Sequence, residues 1–101
     1  MFIVDGVFEL FKDGMHLSEA NELCAMPSLT ASQHWILDFD SLTVNYMGDL
    51  DMFDTELKTV MNDLDNLSIT AIGYAHFHSR GGEYGVFKVD HNKITKIMHN
   101  L

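Results

Sequence analysis

The stretch GDLDMFDTELKTVMNDLDNLSIT, residues 48–70, decides the fold. Within it Leu50, Phe53, Leu57, Val60, Leu64 and Leu67 recur at spacings of 3, 4, 3, 4 and 3. That is one apolar stripe of helical period, widened by Met61, and it predicts an amphipathic helix from about Asp51 to Leu67. Asp49, Asp51, Asp54 and Glu56 crowd its start, where the positive end of the helix dipole favours carboxylates. The stripe covers fewer than the three heptads that a coiled coil needs, so it predicts packing against a core.

On both sides of this helix the apolar period changes to two. Downstream, residues 69–78, 86–89 and 94–98 read as strands, separated by a loop at Arg80-Gly81-Gly82-Glu83 and a turn at Asp90-His91-Asn92-Lys93. Upstream, Trp35, Leu37 and Phe39 alternate with Ile36, Asp38 and Asp40, and Leu42, Val44 and Tyr46 alternate with Thr43, Asn45 and Met47. Asp40-Ser41 reads either as a tight turn or as a bulge in one bent strand. Before these strands, Ser18 reads as the N-cap of a short helix with the stripe Ala20, Leu23 and Cys24, stopped near Met26 by Pro27. Residues 27–33 read as a polar loop. At the start, Phe2-Ile3-Val4 and Val7 to Phe11 flank Asp5-Gly6, a favoured two-residue hairpin turn. A short helix from Val7 to Lys12 is the competing reading. Lys12-Asp13-Gly14 gives a second turn signal.

The order is therefore ββαββαβββ, which predicts one α+β domain over residues 1–101. An antiparallel sheet of about five to seven strands is packed by two helices. A chain of 101 residues sets the prior at one domain with one real core. Its 47% apolar and 21% charged residues are ordinary for a globular protein and argue against wholesale disorder. No apolar run approaches the ~20 residues of a membrane helix. The start is apolar and then acidic, without the positive region of a signal peptide. A single cysteine, Cys24, forbids an internal disulfide and fits a reducing, cytoplasmic compartment.

Charge is placed unevenly. Of fifteen acids, thirteen fall in residues 1–65, against only Lys12 and Lys58. Residues 66–101 carry Arg80, Lys88, Lys93 and Lys96 against Glu83 and Asp90, with four of the six histidines. A chain of formal charge −9 repels nucleic acid and anionic membranes and attracts basic surfaces, most of which exist to hold nucleic acid. Solubility alone is the plainer reason for such a charge.

No motif names a chemistry. His76 and His78 stand two apart on an expected strand, so both rings leave one face and could share a metal. A zinc or iron site needs further ligands, and His91, His99, Glu83 and Asp90 lack diagnostic spacing. Two surface histidines beside Tyr74 are the simpler reading. Arg80, Glu83 and Tyr84 near the pair would suffice on paper for acid–base work in a cleft. Cys24, on the apolar face of its helix, reads as a buried thiol rather than a nucleophile. Ser79-Arg80-Gly81-Gly82 has no following helix and is no phosphate loop.

The acids themselves look arranged. Asp38, Asp40, Asp49, Asp51, Asp54, Glu56, Asp63 and Asp65 come from a hairpin and the helix after it. If these elements are neighbours they predict one negative face. The expected function is a small protein-binding inhibitor of the toxin-immunity, antitoxin or phage anti-defence type. It would mimic nucleic acid and cover a basic surface on a nuclease or similar enzyme, with no catalysis and no cofactor. Trp35, Tyr46, Met52 and Phe53 are candidate anchors, though burial explains them as well. The alternative is an α+β ligand-binding or enzymatic domain, homo-oligomeric, with a pocket at Tyr74, His76 and His78. A plain structural subunit would need the same kind of complementary surface.

Overall fold

A computed structural model of the chain describes residues 1–13, 15–16, 33–38 and 41–99. Its strands are β1 (Phe2–Lys12), β2 (Met15–His16), β3 (Trp35–Asp38), β4 (Ser41–Gly48), β5 (Thr70–Ser79), β6 (Tyr84–Asp90) and β7 (Lys93–His99). The helix α1 spans Leu50–Asn66. The strands form one antiparallel sheet in the order β3-β4-β1-β5-β6-β7, with β2 pairing the far end of β1. The expected α+β class holds, with one helix among the described residues. The second expected helix, at Ser18 to Met26 with Cys24 on it, lies outside them.

The 3-4-3-4-3 stripe is the buried face of α1. Leu50, Phe53, Leu57, Val60, Met61 and Leu64 are all buried against the sheet. Asp49 caps the helix: its Oδ1 accepts from the backbone N–H of Asp51 at 2.8 Å and of Met52 at 3.4 Å, satisfying two otherwise orphaned donors. At the other end Ser68 takes a left-handed conformation (φ 59°). There the Ile69 N–H reaches the Leu64 carbonyl at 2.9 Å and the Ser68 N–H reaches Asp65 at 3.0 Å. This is a Schellman stop with serine where glycine is usual, sealed by the apolar pair Leu64 and Ile69, both buried.

Phe53 is the centre of the core. Its ring lies 6.1 Å from Trp35, 5.1 Å from Tyr46 and 5.4 Å from Phe87, so one helical side chain ties β3, β4 and β6 together. Phe87 continues the contact to Phe77 on β5 at 5.2 Å. Three of the inward positions of β5 are small, Ala71, Gly73 and Ala75, before Phe77.

The Asp5-Gly6 hairpin turn does not form, and neither does a helix from Val7. Residues 2–12 are one continuous strand, paired with β4 from Phe2↔Gly48 to Glu9↔Ser41 and with β5 from Phe2↔Ser79 to Phe11↔Thr70. Ladder hydrogen bonds on both sides outweigh a local turn preference. Gly6 serves another purpose. A Cβ there would run into the Tyr74 carbonyl and, at 2.7 Å, into the Ala75 side chain. Gly73 faces the same exclusion from the Val7 carbonyl and Phe8. Glycine marks the places where strand backbones close in on each other.

The other turns follow expectation. The antiparallel register from Trp35↔Val44 to Asp38↔Ser41 makes β3 and β4 two paired strands rather than one bent strand, with Ser41 inside β4; Asp40 lies outside the described residues. His91 and Asn92 both have positive φ (50° and 67°) and form the tight two-residue turn between β6 and β7. Asn92 also fastens this turn to the helix end. Its Oδ1 accepts from Ala71 N–H at 2.6 Å, and its Nδ2 donates to the Ile69 carbonyl at 2.8 Å and to Asp65 at 2.9 Å.

Two substitutions test this description with opposite signs. Gly6→Ala should lower stability by about 1–3 kcal/mol in urea unfolding, because the neighbouring strand must move. Equal stability would return Gly6 to an exposed turn. Ser68→Gly should raise stability by about 0.5–1 kcal/mol by relieving the left-handed strain.

Candidate protein-binding surfaces

The helix and its cap carry six carboxylates, Asp49, Asp51, Asp54, Glu56, Asp63 and Asp65, against one cation, Lys58. At ~100° per residue they do not share a face. Asp51, Asp54 and Asp65 form one row, on the side of the β6–β7 turn where Asp65 meets Asn92. Glu56 and Asp63 form a second row, on the side of β3. There Glu56 Oε1 accepts from the Trp35 indole Nε1 at 3.0 Å. Between the rows runs a neutral ridge of Met52, Thr55, Thr59, Asn62 and Asn66, all exposed. The single negative face expected from the sequence is thus two acidic rows flanking a neutral crest. Asp38 ends β3 opposite Ser41, and Asp40 lies outside the described residues.

Several of these acids also hold the fold together. Asp49 caps, Glu56 anchors the indole, Asp65 receives Asn92, and Asp54 pairs with Lys58 one turn on at 3.1 Å. An exposed pair of that kind adds a few tenths of a kcal/mol at most. The rows are separated by about the 10–12 Å width of a helix, comparable to the ~8 Å screening length at physiological salt. An approaching partner therefore still meets their summed field.

The candidate anchors sort differently. Trp35, Tyr46 and Phe53 are buried, and only Met52 stands free on the crest. Tyr46 donates its hydroxyl to the Asp49 carbonyl at 2.9 Å. Burial pushes its phenol above the ordinary value, and the Glu56 and Asp49 carboxylates add to the shift.

The opposite face of the sheet carries no helix among the described residues. Side chains there form cross-strand rows. Met47, Ile3, His78, Tyr84 and His99 make one row; Asn45, Asp5, His76, Val86 and Ile97 make the next. A third holds Ile36, Thr43, Val7, Tyr74, Lys88 and Thr95. Tyr74, His76 and His78 are exposed on this surface, as their alternation requires. His78 also borders a cleft of about 780 Å³ at the end of the sheet, with Phe2, Ile3, Met47, Arg80 and Glu83. His76 and Tyr74 do not line it, so the expected three-residue pocket is not assembled in this cleft. Among the described residues no group of three or more His, Cys, Asp or Glu is placed to hold a metal ion. None of their helices is long and apolar enough to cross a membrane.

The strong exposed feature among the described residues is apolar, and it was not among the sequence expectations. Val7, Ile36, Met47, Tyr74, Tyr84 and Ile97 are six of the nine large hydrophobics exposed among the described residues, and all six lie on this one face. The signal was present as alternation. Six strands place at least one large apolar residue out of phase with their core set, and the register puts these on one face.

Comparison with protein-family models, with curated proteins and with solved structures yields no match.

The Tyr46 environment makes a pH prediction. Its folded-state value lies above the unfolded one, so its contribution to stability is intact below about pH 10 and is lost as pH rises through the folded value. Urea midpoints measured at about pH 9 and about pH 11 should fall more for the parent protein than for Tyr46→Phe. Equal falls would place the phenol in a water-like setting.

Proposed function

We propose that this protein is a non-catalytic binding protein whose acidic helix covers a basic, nucleic-acid-binding surface of another protein. Inhibitors of the toxin-immunity, antitoxin or phage anti-defence kind act in this way. The observation that carries the reading is charge segregation. The helix layer holds six carboxylates against Lys58, while the open sheet face holds Asp5, Glu9 and Asp90 against Lys88 and Lys93. Among the described side chains the negative surplus is thus larger on the helix side, where Lys96 lies near Asp49 and Asp51.

In such a complex the two acidic rows would straddle a ridge of basic side chains, with the neutral crest in contact. Long-range attraction speeds encounter, and apolar contact at Met52 slows release. Asp51 and Met52 are exposed and free to serve this contact; Asp49, Glu56 and Asp65 also have fold-holding partners.

The test is paired affinity capture from the native host, with the parent protein and with an Asp51→Lys/Asp54→Lys/Asp63→Lys variant. The parent should retain a nucleic-acid-binding protein that the variant loses. Its association rate should fall several-fold between low and physiological salt. Identical recovery by both proteins, or a salt-independent rate, would remove the acidic helix from the interface.

A further inference from the structure

We propose that the sheet face that carries no helix among the described residues is the interface of a symmetric face-to-face homodimer, with the acidic helices turned outward on both sides. This inference does not rest on the partner reading above, since the two surfaces lie on opposite sides of the sheet.

The first argument is chemical. The six apolar side chains on this face are between 39% (Ile97) and 62% (Met47) exposed. They spread over β3, β4, β1, β5, β6 and β7, so they form a field across the sheet rather than isolated surface residues. The row Asn45, Asp5 and His76 runs between them, but an exposed apolar content this high on one face marks an interaction site.

The second argument is electrostatic and selects the occupant. On a chain of formal charge −9, this face bears three carboxylates and two lysines among its described side chains. A strongly charged partner finds little here to hold it. A second copy meets a near-neutral surface, and the mutual repulsion of the two surpluses is kept at arm's length by the thickness of both sheets. Pairing through the helices would instead oppose six carboxylates to six.

The third argument is area. Six strands spaced ~4.8 Å apart and ~7 residues long at ~3.4 Å each cover roughly 24 by 23 Å. That footprint of roughly 550 Å² is on the scale of the ~800 Å² of accessible surface that each partner contributes to a stable complex. Two such sheets stacked ~10 Å apart make a four-layer helix–sheet–sheet–helix body, a regular sandwich at its centre.

Sedimentation equilibrium over micromolar to submillimolar concentrations provides the test. The parent protein should sediment at twice the monomer mass at the upper concentrations. Tyr74→Glu, from the middle of the face, should raise the dimer dissociation constant at least about tenfold, because a symmetric interface buries each new charge twice. Ile36→Lys, on the short edge strand, should act in the same direction and stands in if Tyr74→Glu disturbs folding. Met52→Lys, on the helix crest, should leave the constant unchanged. Raising salt should tighten the dimer by screening the repulsion between surpluses, opposite in sign to its effect on a basic partner. A monomer at every concentration overturns the proposal. So does a dimer that responds to Met52→Lys and not to the sheet substitutions, or a monomer whose sheet face binds detergent micelles instead.

Discussion

Three successive inward positions of strand β5, Ala71, Gly73 and Ala75, are small before the buried Phe77, and Gly6 sits beside Ala75 on the next strand. A seventeen-residue helix crossing a sheet needs such a trough. Larger side chains would lift it away, and the buried stripe from Leu50 to Leu64 would lose contact with the strands. With the trough in place, Phe53 descends far enough to meet Trp35, Tyr46 and Phe87. Those rings lie on three different strands, so the lateral order of the sheet is fixed through one side chain. The capping by Asp49 and the Schellman stop at Ser68 set the two ends of the helix.

The same geometry accounts for the carboxylates. A helix lying flat has two flanks and a crest, and polar residues on the flanks are within reach of the sheet's own polar groups. Glu56 and Asp65 use that reach, one toward Trp35 and the other toward Asn92. Acidity on this layer is therefore both a surface property and part of the framework. Whatever the helix engages must accommodate two lines of charge with an uncharged strip between them. The other side of the sheet obeys a different rule, in which apolar and imidazole side chains dominate and charge nearly cancels.

Much of this was readable from residues alone. The helix announces itself through its period, and the end of the chain through turn residues at fixed offsets: Asp90-His91-Asn92-Lys93 is a two-residue turn in sequence and in space. Asp5-Gly6 misled because the dipeptide has two uses. It favours a tight turn locally, yet glycine is equally what a strand needs where a neighbour's backbone presses in. Only the pairing of β1 with strands from the middle and later parts of the chain distinguishes them. The grouping of Asp51 with Asp54 and Asp65, apart from Glu56 and Asp63, follows from helical angles and was available in principle. Which flank faces which strand was not, because it depends on the direction in which α1 crosses the sheet. The apolar field was hidden for a related reason: it is assembled by register across six strands and has no local signature.

One consequence of the topology concerns the birth of the protein. Strand β1 occupies the middle of the sheet, and its two neighbours are β4 and β5, with Phe2 lying opposite both Gly48 and Ser79. Strand β1 therefore precedes both of its partners in the chain and waits for β5 before its second edge is paired. While the ribosome works through the intervening residues, Val4, Phe8 and Leu10 have no place to hide, and closing the sheet demands long chain loops before any reward. Folding should be slow for a sheet of this size, and β1 is the strand whose apolar side chains wait longest for both neighbours.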